Sequence, residues 1–331
     1  MTTQPLRYLA AADVIACLPP LDDQIRLAER AMIGLATGAE LPPKIGIHPR
    51  PADSFVHAMP AHLRGPAADG SADLVGMKWI AGFPTNAAGG LPSLHGLVVV
   101  NDPRTGVPLA IMDGGPITAS RTAAVSGVAI RRWSPPVTGR ATRAAIIGAG
   151  VQGRAHVPVL AHLLPGVDLA IHDRQHERAE ALAAAAAGTP GIGSAGAIED
   201  ARHATAEADV VITCVSFGPV RQVMGDGWFA PGALVVAVDY ATSIAAEVAM
   251  DAALFLTDDR AQLFANRDAG LFDGYPDPDA TLGEAILAGT SRGDTGRVLV
   301  THLGTGIADL VFAEAILRAA EAAAAGTLLA R

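Results

Sequence analysis

The chain has 331 residues, half of them hydrophobic and 17% charged, enough to bury two ordinary cores. A net charge of −9 without a basic cluster excludes a nucleic-acid footprint. Without an 18-residue apolar run or a basic-then-apolar leader, neither a membrane span nor an export signal is expected. Cys17 and Cys214 stand far apart and lack metal-ligand spacing, so no metal is expected, and both read as thiols of a reducing, cytoplasmic setting.

Asp22 is placed to cap a helix whose Ile25, Ala28, Met32 and Leu35 share one face and which ends near Gly38. Strand-like runs follow at Lys44–His48, Phe55–Met59, Leu74–Ile80, Gly96–Val100 and Val107–Met112. Clusters of Pro, Gly, Asn and Asp separate them, the pattern of an antiparallel or mixed sheet. Pro116 to Arg131 reads as a helix. The stretch Ser134 to Arg140, with Pro135-Pro136 and Gly139, breaks the pattern and leads into a second domain.

That domain opens on Ala144-Ala145-Ile146-Ile147-Gly148-Ala149-Gly150-Val151-Gln152-Gly153, an apolar run entering G-x-G-x-x-G, followed by Ala155, Val159 and Leu160 at helical spacing. Strand, tight turn and helix in this order form a dinucleotide fingerprint. Gly148 makes the turn, Gly150 lets a pyrophosphate approach, and Gly153 permits close helix packing. Asp173, 23 residues after Gly150, stands where an acid reads the adenosine ribose of NAD. Arg174 beside it could stack on adenine or meet a phosphate, so NAD is favoured and NADP stays open. Further strands at Val167–Ile171, Val210–Thr213, Leu234–Val238, Leu254–Leu256 and Val298–Thr301 alternate with helices such as Glu177–Ala187, which implies a doubly wound parallel sheet. Gly304 to Ala325 reads as a long alanine-rich helix returning to the first domain.

Only two of the 24 basic residues are lysines, Lys44 and Lys78. A lysine kept in such a chain suits a position where guanidinium cannot substitute, because an ammonium can lose its proton when desolvated; two accidents are the plainer alternative.

Several words together resemble the ornithine cyclodeaminase and mu-crystallin family along nearly the whole chain. They are Lys78-Trp79, Pro84-Thr85-Asn86, Gly89-Gly90-Leu91-Pro92, Asp102 with Thr105-Gly106, Met112-Asp113-Gly114, Ile117 to Ala124, the Gly148–Gly153 fingerprint, Leu282-Gly283-Glu284, and Gly304 with Asp309. The resemblance implies an α/β fold in two parts. A mixed α+β substrate and dimerisation domain spans 1–122 and is completed by a C-terminal helix, 307–331, while a Rossmann domain spans 123–306. It also implies a homodimer, a nicotinamide cofactor, and a small amino or imino acid as substrate. Lys78 matches the family's active-site lysine, Arg121 the arginine that grips the substrate carboxylate, and Lys44 a second contact to that carboxylate. Asn86 and Thr122 are further pocket members, Thr122 on the cofactor side. The cofactor set comprises Thr122, Gly148, Gly150, Val151, Gln152, Gly153, Asp173, Arg174, Thr213, Val215 and Gly304.

Two departures bear on the reaction. Where ornithine-cyclising relatives hold a distal ammonium with glutamate, this chain has His57, a poor host for a cation. Where they carry a proton-handling aspartate it has Ala241, with Asp239 two residues earlier as either its replacement or a turn cap. The expected reaction is therefore NAD(P)H-dependent reduction of a small α-imino acid, or its reverse. Lys78 and Asp239 would handle protons, and His57, with His48 or His95, would select a polar or acidic side chain such as that of iminosuccinate. Cyclodeamination of ornithine or lysine, and NADPH or small-ligand binding without catalysis, are the rivals.

Overall fold

A computed structural model describes residues 5–216 and 220–331, with the side chain of Ala87 left aside. The chain forms two compact units, one of residues 1–121 with 304–331, the other of 122–303. In chain order the first begins with β1 (Leu6–Leu9), α1 (Ala11–Ala16), α2 (Leu21–Thr37), β2 (Ala39–Glu40), β3 (Ile45–Ile47), β4 (Phe55–Leu63), β5 (Leu74–Gly82), β6 (Leu94–Asn101) and β7 (Pro108–Asp113), and leads into α3 (Gly114–Trp133). The second holds β8 (Arg143–Ile147), α4 (Val151–Leu163), β9 (Val167–His172), α5 (His176–Ala187), β10 (Ile192–Ala197), α6 (Ala201–Ala206), β11 (Val210–Thr213), β12 (Leu234–Ala237), α7 (Ala246–Met250), β13 (Leu254–Thr257), α8 (Arg260–Asp268), β14 (Ala280–Thr281), α9 (Leu282–Ala288) and β15 (Val298–Thr301). The chain then returns to the first unit as α10 (Gly306–Ala322) and β16 (Thr327–Leu329).

In the first unit the strands run β16-β1-β7-β6-β5-β4-β2, with β3 added on β4. Only β1 and β7 pair in parallel, so the sheet is mixed. Met59, Lys78, Val98 and Met112 stand side by side across β4 to β7, all buried. Helix α10 lies over this face, on β4, β5 and β6, and α2 packs on α10. A Cβ on Gly306 would come within 2.8 Å of the Met59 carbonyl oxygen, so glycine lets the start of α10 press onto β4. One lysine thus stands in an otherwise apolar row under a helix.

In the second unit every strand pair is parallel, in the order β10-β9-β8-β11-β12-β15-β13-β14. Its central strands β8, β11, β12, β13 and β15 are apolar and almost wholly buried, as a sheet covered on both faces requires. The α/β class, with a Rossmann sheet beside a mixed sheet, is as expected.

Details differ. Pro20 rather than Asp22 precedes α2, and Asp22 sits in the first turn, paired with Arg26. The division into units falls inside α3, between Arg121 and Thr122. The reason lies in the second half of α3, where Ser126 bonds to His156 and His302, and the Trp133 indole N–H donates to the Thr290 carbonyl at 3.0 Å. The C-terminal helix stops at Ala322, and Gly326 at φ 80° turns the chain back so that β16 pairs with β1.

Candidate active site

The chemistry-bearing residues of the first unit gather around Lys78. Alternation along β5 turns it to the buried face, where it meets Asp309 in the first turn of α10. Lys78 Nζ donates to Asp309 Oδ1 at 3.0 Å, and Arg121 Nε, from α3, donates to the same oxygen at 3.1 Å. All three side chains are buried, Lys78 and Asp309 completely. Burial is the main cause that brings the Lys78 ammonium down to about 8; Asp309 opposes it, and Arg121 and Lys44 add to it. A lysine so tuned can give or take a proton near neutral pH.

Gly304, at φ 81°, is the reason the Arg121 guanidinium fits, since a Cβ there would lie 2.6 Å from both Nη1 and Nη2. The structure therefore sets this glycine, expected above in the cofactor set, beside the Arg121 guanidinium. Half-buried Lys44 precedes β3 and lies close enough to depress both Lys78 and His57. His57 stands opposite Gly46 across β3 and β4 and stacks on Phe55 at 4.5 Å between ring centroids. Partial burial, then the charges of Lys44 and His48, hold its imidazole down at about 4, so it is neutral at physiological pH. It can donate or accept a hydrogen bond but carries no charge of its own. Asn86 is turned to its own loop, its Nδ2 donating to the Pro92 carbonyl at 3.0 Å.

In the second unit the fingerprint behaves as the three glycines require. Gly148, at φ 111°, passes so near β11 that a Cβ would meet the Cys214 carbonyl at 2.7 Å, and a Cβ on Gly153 would lie 2.2 Å from the Gly148 carbonyl oxygen. Around Gly150 a Cβ would find nothing within 4 Å, which leaves open space at the start of α4. Gly150 caps that helix without a side-chain bond, Val151 is exposed, and Gln152 follows in the first turn. A helix start with free approach is what a pyrophosphate needs. Asp173, just past β9, accepts from the Ala149 N–H at 2.8 Å and from the Gln175 N–H at 2.9 Å, so it is fixed against the glycine turn. Arg174 beside it is exposed. These residues fit a dinucleotide.

Thr213, at the end of β11, is buried and Val215 half-buried; both flank Asp239, which follows β12. Asp239 is fully buried, and burial raises its carboxyl above the usual range while Ser243 draws it back. Its Oδ2 accepts from Ser243 Oγ at 2.7 Å and its carbonyl from the Thr242 N–H at 3.0 Å, the bonding of a turn cap. Tyr240 and Ala241 hold φ of 54° and 56° in that turn, a conformation costly for residues with a Cβ. Thr122 is buried in α3, next in sequence to Arg121. Among the described residues there is no cluster of three His, Cys, Asp or Glu side chains that could hold a metal ion, and no helix is long and apolar enough to cross a membrane.

Sequence reasoning noted Asp309 beside Gly304 but gave it no role. The signal was present: an acid in the first turn of a helix whose surrounding residues are Gly, Ile, Ala, Leu, Val and Phe has to find a buried cation.

Comparison with known proteins covers both units. Residues 9–322 match the sequence model of the ornithine cyclodeaminase/mu-crystallin family. The nodulation efficiency protein NfeD of Rhizobium meliloti is 34% identical over a 332-residue alignment that takes in 98% of each chain. Thermococcus litoralis Δ1-pyrroline-2-carboxylate reductase, solved with NADH and L-proline, gives a TM-score of 0.83 at 26% identity over 97% of this chain and 99% of that one. An archaeal alanine dehydrogenase dimer with bound NAD gives 0.81 at 25% identity over 98% of each. With the family model matched over residues 9–322 and a relative 34% identical along 98% of the chain, the chain belongs to the ornithine cyclodeaminase/mu-crystallin family.

Proposed function

We propose that the protein is an NAD(H)-dependent reductase of a small α-imino acid, running in reverse as an α-amino-acid dehydrogenase. The observation that carries this reading is the buried Lys78–Asp309–Arg121 group, a tuned proton donor beside a carboxylate-binding fork. The likeness to a reductase solved with NADH and L-proline, and to a dehydrogenase solved with NAD, supports the reaction class and the cofactor.

Arg121 and Lys44 bind the substrate carboxylate and so fix the α-carbon. Lys78 delivers a proton to the nitrogen. NADH held by the glycine turn would supply a hydride to the α-carbon, so that with the proton from Lys78 the C=N bond becomes CH–NH. The glycine turn, Val151 and Gln152 hold the pyrophosphate, and Thr122, Thr213 and Val215 complete the cofactor set. Asp173 favours the ribose of NAD, and exposed Arg174 keeps NADP open. Asp239 is committed to its own turn through Ser243, and we leave it out of the proton path.

His57, neutral yet lying by Lys44 and His48, favours a polar or acidic side chain as in iminosuccinate and disfavours a distal ammonium. Loss of that host for ammonium weighs against ornithine or lysine cyclodeamination. The two free cysteines support a reducing compartment.

The test is a screen of 2-oxo acids with ammonia or methylamine, and of cyclic imino acids, followed by NADH and NADPH oxidation. Turnover with one of these is expected, and Lys78→Met should abolish it while NADH affinity survives. Proline formed from ornithine and NAD+ without net NADH would sink the reading.

A further inference from the structure

Lys78 and Arg121 are brought together by an anion outside the carboxylate-binding set. Asp309 Oδ1 takes both the Lys78 ammonium and the Arg121 Nε–H, while its Oδ2 is buried with no hydrogen-bond partner among the described residues. Two cations this close repel unless an anion lies between them, and burial sharpens that repulsion. Asp309 is suited to the place, since its carboxylate sits in the first turn of α10, where the helix N-terminus favours negative charge. Its bond to Arg121 uses Nε alone, so Nη1 and Nη2 take no part in it.

We propose that Asp309 is a positioning residue for the reaction: one carboxylate oxygen clamps the Lys78 ammonium and the Nε edge of Arg121, so that the lysine keeps a proton to give and the arginine offers both Nη groups to a carboxylate. The proposal rests on the reductase reading for its purpose, but the clamp itself is measurable without substrate. The groups that act on Lys78 are Asp309 on α10, Arg121 on α3 and Lys44 ahead of β3. Lys44 and His48 in turn act on His57 of β4, and neither histidine brings negative charge. Asp309 is therefore the anion that opposes desolvation of the lysine.

With only two lysines in the chain, lysine labelled with 13C at Cε gives two resonances whose titration reads each ammonium directly. In the unaltered protein one should titrate near 8. In Asp309→Asn that resonance should titrate at least one unit lower, a tenfold or greater loss of proton affinity, and the alkaline limb of imine reduction should move the same way. NADH affinity should not change. A folded Asp309→Asn protein with an unmoved Lys78 titration overturns the clamp whatever the substrate proves to be. A shifted lysine in a protein that reduces no imine leaves the clamp standing and overturns the reductase reading. If the asparagine variant does not fold, Asp309→Glu keeps the charge: Lys78 should then stay within a unit of its parent value while KM for the imino acid rises, and a lysine titrating below 7 in that variant overturns the proposal.

Discussion

Under the reductase reading proposed above, a Lys78 ammonium held near 8 gives reduction and its reverse opposite pH profiles. Reduction needs the ammonium, so kcat/KM for the imine should be level below pH 8 and fall tenfold per unit above it, whereas oxidation of the amine should rise through the same range. Initial rates in both directions check this. The glycines separate in the same way. Gly150→Ala should leave Tm unchanged and weaken NADH binding at least tenfold, because its Cβ meets nothing in the protein. Gly153→Ala should cost about 3 kcal/mol in denaturant unfolding as well, because its Cβ would strike backbone. Sequence showed these roles because a glycine pattern states its own backbone demand. Asp309 was harder to read, since a single acid's partner depends on which strand face α10 covers, and nothing local encodes that.

At the scale of elements, the strands that sequence marked are those with β-branched or aromatic runs, and β1, β2, β10, β14 and β16 escaped. β10 is Ile192-Gly193-Ser194-Ala195-Gly196-Ala197, with little β-propensity of its own; pairing with β9 holds it extended. Strand β4 was expected to end at Met59 but continues through Pro60 to Leu63. On its outer side β3 pairs with residues 56–58 and β2 with 62–63, so Pro60, lacking an N–H, falls where no strand pairs there. Buried histidines tie further elements of the second unit together. His156 Nδ1 lies 2.7 Å from the Gln152 carbonyl and so carries the proton; its Nε2 accepts from Ser126 Oγ at 2.8 Å, and Ser126 accepts from His302 Nε2 at 2.9 Å. Burial holds His156 down at about 4. The unfolded chain then binds the extra proton between pH 6.5 and 4, so stability is full above 6.5 and falls by roughly 3 kcal/mol as pH drops through that window. His156→Asn should flatten this loss, measured as the difference in urea midpoints at pH 7 and pH 5.

For the whole molecule, the face of the mixed sheet opposite Lys78 carries partly exposed apolar side chains. Trp79 and Leu97 stand side by side on β5 and β6, 44% and 40% exposed, with Tyr8, Met77, Val99 and Ile111 in the neighbouring row. Such a patch marks a docking surface, and a second copy of the chain is a partner that would cover it. Light scattering should give a dimer mass, and Trp79→Arg should reduce it to the monomer without loss of secondary structure by circular dichroism. The alternation of strands and helices made the doubly wound sheet legible in sequence, whereas the mixed sheet takes its order from pairings distant along the chain. One such pairing sets an order of assembly. The residues of the second unit form one unbroken stretch, 122–303, but Asp309 follows all of them in the chain, and Lys78 precedes them. A ribosome builds from the N-terminus and domains fold as they emerge, so the cofactor fold can form while Lys78 still waits for its counter-ion. The Lys78–Asp309 pair can then close only after α10 has been synthesised, which makes that buried ion pair the late step in this chain's maturation.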